Sequence, residues 1–113
     1  MFEYKAKVVS VYDADTITVD IDLGFRATLH GIKIRLYGIN APEMRGSEKP
    51  QGTISRDWLR QRILNKNIIL KTRKDRKGKY GRWLGKLYIG EGAIRHCIND
   101  ELVEHGLAEV ANY

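Results

Sequence analysis

The chain has 113 residues and a formal net charge of +6, with one cysteine. That length supports a single core, no apolar run approaches the ~20 residues of a membrane span, and a lone cysteine rules out an internal disulfide or a multi-cysteine zinc site. The positive balance favours a polyanionic partner, and Met1-Phe2-Glu3-Tyr4-Lys5 lacks the basic-then-apolar start of a secretory signal, so a cytoplasmic location is expected, or a secreted one if a leader has been removed.

In chain order, Tyr4 to Tyr12 is apolar and β-branched enough for a first strand. Asp13-Ala14-Asp15 makes a tight turn, and Thr16 to Asp22 alternates as a second strand. Leu23-Gly24-Phe25-Arg26 reads as a loop. In the next strand Ile32, Ile34 and Leu36 alternate with Lys33, Arg35 and Tyr37, the period of one buried face. Gly38 lets the chain bend, and Pro42 fixes its own φ and pushes Ala41 toward an extended conformation. Met44 to Gly52 holds Gly46, Ser47, Pro50 and Gly52 among charges and reads as a mobile loop.

From Thr53 to about Leu64 the period becomes helical, with Ile54, Trp58, Leu59 and Ile63 on one apolar face, until Asn65-Lys66-Asn67 stops it. Ile68-Ile69-Leu70 opens a strand and Arg82 to Ile89 forms another, with Trp83, Leu87 and Ile89 on one side and a basic loop between. A short strand around Ile94 to Ile98 precedes a last helix, with Asn99 as its N-cap, Asp100 and Glu101 in its first turn and Gly106 just past its end. Cys97 reads as a small buried hydrophobe. Three strands, a helix, two or more strands and a helix suit an α+β, mainly β chain: one domain over residues 1–113, a small twisted antiparallel barrel with appended helices.

A phosphodiester hydrolase needs a cation for the phosphate and a carboxylate beside it to handle water, and Arg35 and Glu43 supply both within nine residues. Taken singly, each also fits an exposed charged residue. Asp13 suits a turn aspartate bonded to its own backbone, whereas Asp15 re-enters the sheet and has a fixed direction. Asp15, the Asn40 side chain and the Ala41 carbonyl are three hard oxygens of the kind calcium takes, provided the hairpin lies beside the Pro42 turn.

In Lys71 to Arg82 only Asp75 opposes the cations. Tyr80 places an aromatic ring among them, a combination that tracks a phosphate backbone and stacks on bases. Arg82, where this loop becomes a strand, is suited to grip a phosphate through two parallel hydrogen bonds. His30, His96 and His105 show no metal-ligand spacing, and Trp58 and Trp83 read as core.

These pieces, in this order, resemble the staphylococcal nuclease (thermonuclease) family: Asp13-Ala14-Asp15-Thr16, then Arg35-Leu36 through Ala41-Pro42-Glu43, then Lys79-Tyr80-Gly81-Arg82, then Asn99 to Val103 with Gly106-Leu107-Ala108. The resemblance implies a five-stranded Greek-key OB-fold barrel with two to three helices. It also implies a calcium-dependent endonuclease acting on single-stranded or locally opened DNA and RNA and leaving 3′-phosphates. Under it, Asp15, Asn40 and the Ala41 carbonyl hold the metal, and Glu43 is the general base or positions the water. Arg35 and Arg82 hold the scissile phosphate, and Lys79, Tyr80 and, at the end of the chain, Tyr113 contact the nucleotide. Asn40 stands where the family's best-studied form has aspartate, so one ligand charge is lost and weaker metal binding is expected. A monomer with no membrane association is expected. The competing expectation is a non-catalytic module of the same family that binds nucleic acid or a protein.

Overall fold

The computed structural model describes residues 2–74, 83–90 and 93–111. β1 (Phe2–Asp13), β2 (Thr16–Gly24) and β3 (Ala27–Leu36) form an antiparallel meander. β5 (Asn67–Lys74) pairs with β1, and β6 (Trp83–Ile89) pairs with β5. A parallel register of β6 against β3 (Ile34 opposite Trp83, Leu36 opposite Gly85) closes the ring. The five strands run in the order β1-β2-β3-β6-β5 and back to β1, which makes this a mainly β, OB-fold barrel. The closing pairs are confined to Ile34–Leu36 of β3, next to Arg35.

Two short pairings complete the wall. β4 (Ile39–Asn40) lies against β8 (Glu109–Val110), and β7 (His96–Cys97) extends β6. The helices are α1 (Lys49–Ile63), preceded by a 3₁₀ turn over Gly46–Glu48, and α2 (Ile98–Glu104). None of the described helices is long and apolar enough to cross a membrane.

Alternation holds where the barrel is closed. Val8, Ile17, Val19, Ile34, Leu36, Leu70 and Leu87 are fully buried, as are Leu59 and Ile63 from α1 and Ile98 and Leu102 from α2. Each such side chain contributes about 1.5–3 kcal/mol on leaving water. Gly85 sits where a Cβ would come within 2.8 Å of Ile34 Cγ2 and Leu70 Cδ1, so a larger residue there would have to displace these two core side chains. Arg62 joins the helices through two hydrogen bonds to Glu101, at 2.9 and 3.2 Å. Arg60 ties α1 to the Val11 carbonyl of β1.

Several expectations change. The Met44–Gly52 segment is not all loop: α1 begins at Lys49, because a proline in the first helical turn gives up an N–H that has no partner there anyway. The buried face of α1 runs through Gly52, Ser55, Leu59 and Ile63, while Ile54 is exposed. Small residues line the half of α1 that comes close to the Pro42–Glu43 backbone, which the count of large apolar residues does not reveal.

Trp83 is 40% exposed rather than core, since it opens β6 at the mouth of the barrel. Cys97 is half-buried, and burial pushes its thiol above the ordinary value. His30 lies within β3 and faces Asp20 at 3.3 Å. Asn99 is not a cap, for Cys97 holds that position. Buried inside, Asn99 accepts the Leu87 N–H and donates to the Tyr37 and Gly85 carbonyls, satisfying three backbone groups at once.

Candidate functional site

The turn between β1 and β2 is built to present one carboxylate. Asp13 Oδ1 accepts the Asp15 N–H at 3.1 Å, a side-chain turn that fixes the direction of Asp15. Asp15 Oδ2 accepts the Ala41 N–H at 2.8 Å, and Oδ1 accepts the Thr16 hydroxyl at 3.2 Å. The Leu36 N–H donates to the Asp15 carbonyl at 2.8 Å. The hairpin therefore lies beside the Pro42 turn, the neighbourhood on which the oxygen set depended.

Arg35 is the next-to-last residue of β3, three residues before Gly38, whose φ of +79° bends the chain back. Its side chain is 10% exposed, as is that of Asp15, and Nη2 lies 3.3 Å from Asp15 Oδ2. Nη2 also donates to Asn40 Oδ1 at 3.1 Å, while Nη1 donates to the Leu36 and Ile39 carbonyls at 3.0 and 3.1 Å. The guanidinium is therefore a tie between β3, β4 and the turn as well as a cation at the site. Asn40 is itself held from behind, because β4 pairs it with Glu109.

Glu43 lines the same opening, with its side chain 58% exposed and its Oε2 3.2 Å from Arg45 Nε. Its main chain is packed against α1, since a Cβ at Gly52 would overlap the Glu43 carbonyl oxygen. Asp13, Asp15, Arg35, Asn40, Ala41 and Glu43 line one cleft of ≈ 630 Å³. Arg82, Lys79, Tyr80 and Tyr113 lie outside the described residues.

Electrostatics distinguish the two aspartates. Burial, followed by the hydrogen bond and charge of Asp15, pushes the Asp13 carboxyl from 3.8 up to about 7. Two carboxylates pressed together resist ionising as a pair, and a cation between or beside them removes that resistance. The donor set of Asp13, Asp15 and the Asn40 amide is entirely hard oxygen, so it suits calcium in preference to a nitrogen- or sulfur-seeking metal. Among the described residues no three His, Cys, Asp or Glu side chains gather as a metal group, so a calcium ion here would draw the rest of its shell from water and carbonyls.

The sequence reading of Asp13 as a turn aspartate bonded to nearby backbone holds, since its Oδ1 accepts the Asp15 N–H. Sequence reasoning missed Gly52, which it placed at the end of a loop and which instead lies in α1 against the Glu43 backbone.

The matching family model is described as Staphylococcal nuclease homologue and covers residues 33–113, so it includes Arg35, Asn40 and Glu43. Among related proteins, Thermonuclease of Staphylococcus hyicus is 31% identical over 98% of this chain and 62% of its own. Endonuclease Htp3 of Saprolegnia parasitica is 28% identical over 94% of this chain and 55% of its own. Uncharacterized protein MJ1439 of Methanocaldococcus jannaschii is 27% identical over 95% of this chain and 59% of its own. The chain thus spans well under two thirds of the length of these relatives. The barrel, the cleft and a family match over most of the sequence agree, and the chain belongs to the staphylococcal nuclease homologue family.

Proposed function

We propose that this chain is a calcium-dependent nuclease that hydrolyses single-stranded or locally opened DNA and RNA to 3′-phosphate products. The observation that carries this reading is the convergence of Asp15, Arg35, Asn40 and Glu43 on one cleft from four separate segments. Relatives named thermonuclease and endonuclease support the same reaction class.

Asp15 and Asn40 would hold the calcium, with the Ala41 carbonyl as a further oxygen and Asp13 behind them. The ion would supply positive charge against the charge growing on the phosphoryl oxygens. Glu43, exposed and lining the cleft, takes the proton from the attacking water or orients that water. Arg35 meets a phosphate oxygen from its buried position at the cleft, and Arg82 is assigned as the second guanidinium, by its place in the family motif. Lys79, Tyr80 and Tyr113 are assigned to neighbouring nucleotide contacts on the same ground. Residues 1–113 form one domain, which acts as a monomer.

The test is cleavage of single-stranded DNA and RNA with calcium or with chelator, using Glu43→Gln and Arg82→Ala as controls. Loss of a general base lowers kcat by about 10²–10⁴-fold, so an unchanged Glu43→Gln rate overturns the assignment. A second reading has one observation in its favour: every Nη hydrogen of Arg35 has a partner inside the fold, and Asn40 is a neutral ligand. A family module that only binds nucleic acid or protein has that character. Calcium-independent binding without cleavage would decide for it.

A further inference from the structure

The cleft has a second wall that none of the catalytic assignments uses. Ser10 of β1 stands opposite Thr18 of β2, and Thr18 stands opposite Lys33 of β3. These three side chains form a row across the outside of the barrel, and all three line the cleft together with Tyr12. The next row, Asp13, Thr16 and Arg35, belongs to the site already described. The two rows are two residues apart on β2 and β3, about 7 Å, and three apart on β1, where a bulge intervenes; this step is comparable to the distance between neighbouring phosphates in an extended strand.

Tyr12 and Lys33 differ from similar residues elsewhere on the barrel. Tyr37 has Arg73 and Lys86 over its ring, and Tyr88 has Lys71. Lys5 and Lys7, which line the larger hollow of ≈ 860 Å³, stand directly across from Asp22 and Asp20 in register, so each has a carboxylate opposite it. Tyr12, in contrast, is 68% exposed. Among the described residues it makes no hydrogen bond or ring contact, and Lys33 makes no ion pair. An open aromatic face, an uncompensated ammonium and two hydroxyls beside a phosphodiester site are the parts of a nucleotide contact.

We propose that Tyr12, Lys33, Thr18 and Ser10 form a second nucleotide subsite next to the reaction centre. Lys33 and the two hydroxyls hold the phosphate adjacent to the scissile one, and Tyr12 stacks on an unpaired base. The ligand class is single-stranded nucleic acid, since a paired base has no free face to offer. This inference rests on the nuclease reading for the identity of the neighbouring phosphate, although its binding contacts are separate from the catalytic groups.

The experiment is fluorescence anisotropy of a 5′-fluorescein-labelled ten-nucleotide oligothymidylate, in chelator and at several salt concentrations. Because base–aromatic stacking is worth about 1–3 kcal/mol, Tyr12→Ala should weaken binding about 5–150-fold, and Tyr12→Phe should bind like the wild type. Lys33→Ala should weaken binding and lower the salt slope by about one phosphate contact. Urea midpoints equal to wild type verify that the exposed positions leave the fold intact. Unchanged affinity in both alanine variants overturns the proposal, as does a wild-type chain that does not bind the oligonucleotide. If the wild type cleaves but these variants bind normally, only the subsite fails. If it binds through Tyr12 and Lys33 yet cleaves nothing with calcium, the nuclease reading fails and the subsite remains.

Discussion

Arg35 Nη2 lies 3.3 Å from Asp15 Oδ2, with each side chain 10% exposed, and this pair joins β3 to the β1–β2 turn. A buried pair broken on one side leaves an uncompensated charge, at a cost of about 3–5 kcal/mol. Arg35→Ala or Asp15→Ala should therefore lower the urea-unfolding free energy by that order. Arg35→Lys should not restore it, because one ammonium cannot reach Asn40, Ile39 and Leu36 together as the forked guanidinium does. Lost activity in these variants has to be read against lost fold, and a wild-type unfolding midpoint in either would refute the tie.

Asn40→Asp should strengthen calcium binding. It restores a ligand charge at a position whose oxygen already sits beside Arg35 Nη2. A gain of about tenfold, ~1.4 kcal/mol, is expected by isothermal titration. An unchanged or weaker calcium affinity would remove Asn40 from the ligand set.

Asp13 should give the protein a pH dependence in chelator. Its carboxyl pKa is raised to about 7 from 3.8, chiefly by burial, so the folded state favours the protonated form. The associated stability is fully present below about pH 4 and is lost as pH rises through 7. Asp13→Asn keeps an oxygen acceptor for the Asp15 N–H and removes the charge. Its unfolding midpoint should exceed that of wild type at pH 8 and converge with it near pH 4. The same difference at both values would contradict the assignment.

Gly52→Ala separates helix propensity from loop placement. Alanine in a helix interior ordinarily stabilises by about 0.5–1 kcal/mol over glycine. Here the added Cβ meets the Glu43 carbonyl, so the Pro42–Glu43 backbone has to move. Trypsin cleavage after Arg45, whose side chain is exposed, should accelerate. A more stable variant with unaltered cleavage after Arg45 would show that the contact relaxes harmlessly.

The barrel was legible because its strands alternate cleanly between core and solvent; Ile17, Val19, Ile34 and Leu36 are all fully buried. The residues misjudged share a different character. Asn99 looks like a helix cap because its local neighbours are Asp100 and Glu101, but its partners Tyr37, Gly85 and Leu87 lie far along the chain. Ile54 has helical spacing and still faces solvent, because the neighbouring face is reserved for the close approach at Gly52. Of the site, Asp15, Arg35, Asn40 and Glu43 could be named from order and chemistry. That Arg35 is also a structural tie depends on carbonyls from three segments, which no linear pattern records.

The pairing of Asn40 with Glu109 sets a clock on the molecule. The β1–β3 meander can form from neighbouring residues, whereas β3 waits for β6 and β4 waits for a strand near the other end of the sequence. Contacts of such long sequence separation are slow to close. Refolding from urea should therefore bury the meander before the last ligand is seated, and recovery of calcium binding should trail recovery of β-sheet circular dichroism.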